Sequence, residues 1–112
     1  MIEKWVELEN WVLSQFKELD PFIKRSPGSG NKGVKGDLKF SSNQCGLHIE
    51  CKQRNTKSVY NEEWLEKAES EIPLHVDKTA IIFTMNKDGK IRVHMDAQDF
   101  MRIFRRSIEK SQ

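Results

Sequence analysis

The stretch Asp37-Leu-Lys-Phe-Ser-Ser-Asn-Gln-Cys-Gly-Leu-His-Ile-Glu-Cys-Lys52 holds two runs of strand character around a turn. Asp37 to Phe40 begins one strand, Ser41 to Gly46 has turn composition, and Leu47 to Lys52 makes the next. Side chains alternate across a strand, so Glu50 and Lys52 share one face with His48, while Ile49 and Cys51 enter the core. An acid at a strand start, followed thirteen residues later by a second acid with a lysine two positions on, is a pattern that suits a divalent cation. Two carboxylates bind the ion and an ammonium stands beside it.

The segment just upstream fits a phosphate partner. Arg25-Ser-Pro-Gly-Ser-Gly-Asn-Lys-Gly-Val-Lys-Gly36 is basic and glycine-rich, a loop able to lie against phosphates. The net charge of the 112-residue chain is only +2, but it is segregated. Residues 24–57 carry +6, from Lys24, Arg25, Lys32, Lys35, Lys39, Lys52, Arg54 and Lys57 against Asp37 and Glu50. Residues 1–20 carry −3, residues 58–80 carry −4, and residues 102–112 carry +3. The basic block therefore surrounds the two carboxylates. Clustered lysine and arginine gain phosphate affinity by counterion release, whereas the acids would oppose it without a neutralising metal. A metal-binding pair, an ammonium and a phosphate-facing loop together read as a nuclease.

The rest of the chain supplies the frame. Residues 2–19 predict an amphipathic helix with Trp5, Leu8, Val12, Phe16 and Leu19 on one arc and Glu9 at its edge. Asp20-Pro21 ends it, and Phe22 to Arg25 predicts a short strand. A second helix is expected from Asn61, as N-cap, to Ile72, with Trp64, Ala68 and Ile72 at four-residue spacing and Pro73 as its stop. Lys78 to Met85 is a continuous apolar run, as in a central buried strand. Asn86-Lys-Asp-Gly89 predicts a hairpin into Ile91–Met95. Asp96 then caps a last helix, with Asp99 at N3 and Phe100, Ile103, Phe104 and Ile108 on one face. The order is α-β-β-β-α-β-β-α, an α/β chain with no internal repeat and no domain boundary, read as one domain over residues 1–112.

Composition excludes other classes. Charged residues make up 32% of the chain, and no apolar run approaches the roughly 20 residues of a membrane span. The N-terminus lacks signal-peptide character. Cys45 and Cys51 form no Cys-x-x-Cys pair, which argues against structural zinc and a disulfide framework and for reduced thiols in a cytoplasm. His75 and His94 have no partner at ligand spacing. His48 is either a hydrogen-bonded strand residue or a contact to substrate or metal. The three tryptophans at helical spacing read as core or interface rather than as base-stacking groups.

The acid followed by Glu-x-Lys, inside this element order, resembles the PD-(D/E)xK nuclease superfamily. More narrowly, it is similar to the archaeal-type and phage Holliday-junction resolvases. Their helical Glu, strand-end Arg, Ser/Gly loop, Asp and Glu-x-Lys match Glu9, Arg25, Gly28-Ser29-Gly30, Asp37, Glu50 and Lys52 in order. Gly36 stands where the superfamily's name has Pro.

The resemblance implies a restriction-endonuclease-like αβββαβ core, a mixed sheet flanked by helices, with a C-terminal strand and helix added. It implies Mg²⁺, with Mn²⁺ able to substitute, on Asp37, Glu50 and the backbone carbonyl of Cys51, and with Glu9 reaching the metal through water. Lys52 would hold the attacking water or stabilise developing charge. Arg25, Ser29, Lys32, Lys35, Gln53, Arg54 and Lys57 would contact DNA, and Ser29 serves equally well as a turn residue. A homodimer acting on branched or duplex DNA in a prokaryotic or phage-infected cell follows from the same likeness, because resolving a junction takes two opposed nicks. The alternatives are another nuclease of the superfamily, nicking or restriction-like, or a non-catalytic DNA-binding protein on the same fold.

Overall fold

The computed structural model describes residues 4–26, 38–40 and 46–111, with side chains from residue 7 onward. Its elements are α1 (Lys4–Lys17), β1 (Lys24–Arg25), β2 (Leu38–Lys39), β3 (Leu47–Gln53), α2 (Glu62–Ser70), β4 (Thr79–Met85), β5 (Ile91–His94) and α3 (Ala97–Ser111). This is a mixed α/β arrangement in the order expected. The 26–36 loop after Ser26, the 41–45 turn, Asp37 and the side chains of Trp5 and Val6 lie outside the described residues.

β1 and β2 pair antiparallel, Lys24 opposite Lys39 and Arg25 opposite Leu38. β3, β4 and β5 form a second sheet in that order, with β4 parallel to β3 and antiparallel to β5. The parallel pair requires a crossover, which α2 supplies. β4 is the central strand, and its first four residues are all buried. That burial accounts for its unbroken apolar sequence, since a strand covered on both faces has no polar side to show.

The alternation along β3 divides the molecule into two layers. Ile49, fully buried, joins Leu8, Val12, Ile23 and Leu38 in a core beneath α1, with Leu13, Phe16, Cys51 and Phe83 packed against it. Phe16 meets Phe40 edge-on at 5.4 Å between ring centroids. On the other face Ala80 and Ile82 pack with Leu65 and Ala68 of α2, flanked by Trp64 and Ile72. Each fully buried aliphatic side chain contributes roughly 1.5–3 kcal/mol.

Caps and turns fix the element ends. Asn61 Oδ1 accepts the Glu63 amide at 2.9 Å and starts α2 as anticipated. Asp96 Oδ1 accepts the amides of Gln98 and Asp99 at 2.8 and 3.3 Å, starting α3. The return half of that capping box is replaced, because the Asp99 carboxylate turns to Arg102 at 2.8 Å. The β4–β5 turn closes on Asn86, whose Oδ1 accepts from Asp88 and Lys90, and Gly89 supplies the positive φ of 78°.

Two readings of apolar residues are corrected. Leu19, expected on the buried arc of α1, is 84% exposed. The helix stops at Lys17, and the amides of Leu19 and Asp20 both fold back on the Phe16 carbonyl, which swings Leu19 outward. Phe22 is exposed rather than in a strand, because Asp20 accepts the amides of Phe22 and Ile23 and makes a turn there. Leu13, not among the residues expected on the buried arc, packs against the core as well.

The apolar face of α3 is also open. Phe100, Ile103, Phe104 and Ile108 are each 38–52% exposed, and no residue of α3 is buried. Arg102 fastens this helix to the body through Asp77 and Thr79, and Arg106 through Asp77.

Candidate metal and phosphate site

The even-numbered face of β3 turns to α2. Register places Glu50 beside the buried Ile82 and then His94, and Lys52 beside Thr84 and Arg92, so one polar row crosses the sheet at Lys52. His48 stands one step beyond Glu50, away from this row, and is 6% exposed. Its Nε2 lies 3.7 Å from a Glu50 carboxylate oxygen and 3.4 Å from Glu71. One ligand atom from each of the three side chains falls within 4.8 Å of the others. Glu71 is the C-cap of α2, and its amide is tied back to Lys67 and Ala68. The crossover helix therefore delivers this carboxylate onto β3.

The donor set suits a small dication. Two carboxylates supply hard oxygen, the imidazole supplies nitrogen, and all three are half-buried or buried, which strengthens their hold on a charge. Asp37, the other ligand expected from the sequence, lies outside the described residues, as do Ser29, Lys32 and Lys35.

Lys52 is held by an aromatic support. Its Nζ stands 5.6 Å from the Trp64 ring centroid, and the Arg54 guanidinium stands 5.2 Å from the same ring. Trp64 thus belongs to the core of the α2 layer and also carries two cations at its rim. Arg54 further donates to the Gln53 carbonyl at 2.8 Å.

Gln53 faces the opposite way. Its Oε1 accepts the Leu8 amide at 3.2 Å and its Nε2 donates to Glu7 at 3.1 Å, so the side chain is occupied in joining β3 to α1.

Glu9 and Arg25 come together on the α1 side. Arg25 Nε approaches Glu9 Oε2 at 3.3 Å without hydrogen-bond alignment, an electrostatic contact, while its Nη2 donates to Asn10. Among the described residues Glu9 pairs with Arg25, and Glu50 meets His48 from the α2 side. Ser26 Oγ, next to Arg25, is buried with no hydrogen-bond partner among the described residues.

A basic groove of about 480 Å³ lies at the far end of the Lys52 row. Lys57, Lys90 and Arg92 outnumber Asp88 among its lining residues, which also include Tyr60, Thr84 and His94. The 54–58 segment is pinned to the hairpin by Arg54 N–H to Met85, Lys87 N–H to Thr56, and the Asn86 amide to Lys57. Tyr60 stacks on His94 at 4.1 Å and donates to Glu62 at 2.7 Å. Burial first, then that acceptor, pushes the Tyr60 phenol up to about 12. It stays protonated and able to donate.

Burial first, then the Arg92 charge, pushes the His94 imidazole below its ordinary 6.5. The neutral ring shares a 2.9 Å hydrogen bond with Thr84. A depressed histidine leaves stability intact above the unfolded value near 6.5 and erodes it as pH falls toward the lower folded value, because the unfolded chain takes up the proton first. Glu69, whose carboxyl is pushed up by burial and then by Asp96, acts in the opposite sense. Thermal melts between about pH 7 and 5 should therefore show His94→Gln losing less stability than the parent protein. Equal losses in the two proteins would remove His94 as a cause.

Glu71, Lys90 and Arg92 were not singled out in the sequence. Arg92 had a signal there, since hairpin register from the Asn86–Gly89 turn sets it opposite Thr84. Glu71 had none, because its neighbours depend on where the crossover helix ends.

No helix among the described residues is long and apolar enough to cross a membrane. No family model matches the chain, and no curated protein or solved structure matches it.

Proposed function

We propose that this protein is a metal-dependent DNA endonuclease of the PD-(D/E)xK type, with a four-way junction as its preferred substrate. The observation that carries the reading is the shared face of Glu50 and Lys52 on β3, in register with Thr84 and Arg92. A carboxylate, an ammonium and a basic groove follow one another along a single surface. A non-catalytic DNA-binding surface gains nothing from acids placed beside its cations, since they repel phosphate.

In this reading Glu50 and Asp37 hold Mg²⁺, with the Cys51 carbonyl as a further oxygen ligand and Glu9 acting through water. Mn²⁺ substitutes. When bound, the ion lowers the pKa of a coordinated water and withdraws charge from the phosphate. Lys52 does the rest from the protein side. Its ammonium orients the nucleophile or meets the charge that develops on the phosphoryl oxygens, and Trp64 keeps it on station. Arg25, Arg54 and Lys57, with Ser29, Lys32 and Lys35 of the upstream loop, position the backbone without reading bases. Gln53 contributes by fixing β3 against α1.

Two opposed nicks need two such sites, and a twofold pair of chains supplies them. The open apolar face of α3 offers surface for that pairing.

The test is cleavage in Mg²⁺ of a four-way junction, a linear duplex and single-stranded DNA. Paired symmetric nicks confined to the junction are the expected result. Degradation of all three would move the protein to another nuclease of the superfamily, and binding without cleavage would make it a DNA-binding protein.

A further inference from the structure

We infer that His48, Glu50 and Glu71 form a binding site for a borderline transition-metal dication, which holds Zn²⁺ in preference to Mg²⁺. Three features carry this beyond an ordinary histidine–carboxylate contact. The first is spacing. His48 Nε2 lies 3.4 Å from Glu71, at the long limit of a hydrogen bond, and 3.7 Å from Glu50, beyond one. Ligand atoms around a tetrahedral Zn²⁺ stand about 3.4 Å apart, given metal–ligand bonds of about 2.0–2.1 Å. Both distances from His48 come within a few tenths of an ångström of that spacing, and the Glu50 and Glu71 ligand atoms lie within 4.8 Å of each other.

The second feature is the frame. His48 and Glu50 project from the same face of a paired strand, and Glu71 caps α2 through fixed backbone hydrogen bonds. Rigid elements therefore set all three donors before a metal arrives, which lowers the cost of ordering them. The third is chemistry. A buried imidazole with two half-buried carboxylates is a nitrogen–oxygen set. Mg²⁺ favours all-oxygen coordination with several waters retained, whereas imidazole suits Zn²⁺ and its first-row neighbours. Two carboxylates balance the two charges of the ion. Three protein ligands leave a fourth position for water.

The site shares Glu50 with the nuclease reading but does not depend on cleavage, since the same three residues would bind Zn²⁺ in a protein that cuts nothing. Metal binding and DNA cleavage are therefore measured separately. The metal-free full chain is titrated with Zn²⁺ against a chromophoric chelator, and Co²⁺ is added to a second sample for its visible spectrum.

The expected result is one Zn²⁺ per chain, bound at least about 100-fold more tightly than Mg²⁺, with a Co²⁺ spectrum lacking thiolate charge-transfer bands. Glu71→Gln and His48→Gln should each weaken Zn²⁺ about tenfold or more, and His75→Gln should bind as the parent does. If His48→Gln fails to fold, Glu71→Gln, at the end of α2, decides. Parent-like Zn²⁺ binding by Glu71→Gln, equal affinity for Mg²⁺, or thiolate bands with Co²⁺ would each overturn the site. Loss of cleavage with Zn²⁺ binding intact, or the reverse, separates the two readings.

Discussion

Glu50→Gln is expected to lower metal-dependent DNA cleavage by about three orders of magnitude or more, with DNA affinity unchanged or raised. The substitution keeps the shape of the side chain and removes only its charge. Glu50 is half-buried on the α2 face of β3, within 4 Å of His48, and no fold-determining apolar contact depends on it. A neutral amide binds a hard dication poorly, so the site loses its metal while the basic groove keeps its hold on phosphate. Removing a negative charge beside bound DNA also relieves repulsion. Single-turnover rates in Mg²⁺ and binding in Ca²⁺ separate the two effects. Near parental turnover in Glu50→Gln would refute the assignment of this face, and Asp37→Asn should behave in the same way.

The second large effect belongs to Lys52. Lys52→Ala should slow cleavage by about two to three orders of magnitude, with affinity within a few-fold of the parent. Its ammonium is held against the Trp64 ring beside Glu50, where charge develops in the transition state rather than in the bound substrate. Lys57 is the contrast. It lies in the groove with Asp88, Lys90 and Arg92, which neither Glu50 nor Glu71 lines. Lys57→Ala should weaken binding and reduce the salt dependence of affinity by about one counterion, with the bound rate little changed. Equal effects of the two substitutions on rate and affinity would make Lys52 merely one more phosphate contact.

Much of this arrangement was legible from local sequence, for physical reasons particular to each element. The alternation in Leu47–Lys52 told which side chains enter the core, because a strand permits only two faces. The unbroken apolar run before Asn86 told that β4 is covered on both sides, and Asn61 and Asp96 announced the starts of α2 and α3 through their capping carbonyl and carboxylate oxygens. What escaped was non-local. Glu71 reaches His48 only because α2 crosses over β3 and ends there, and no periodicity within α2 encodes that meeting. Leu19 matched the helical arc but fell beyond the point where Asp20-Pro21 turned the chain. The face of α3 was read correctly as apolar. Its exposure depended on packing that the pattern itself does not specify.

The same limit applies to the site. Glu50 and Lys52 could be placed on one face from spacing alone, but their surroundings could not. Alternation alone allows His48 to be either a hydrogen-bonded strand residue or a ligand. It now stands buried between two carboxylates, one on its own strand and one from the crossover helix. Gln53 followed the motif in sequence and so resembled a phosphate contact, yet the pleat turns it to α1, where it accepts the Leu8 amide.

The most direct test of the central claim is a quenched single-turnover assay of the purified full chain on an end-labelled four-way junction, with Mg²⁺, with Mn²⁺ and with EDTA. The account predicts paired nicks on opposing strands with either metal and none in EDTA. A junction that is bound in all three conditions and left intact in both metals would contradict it.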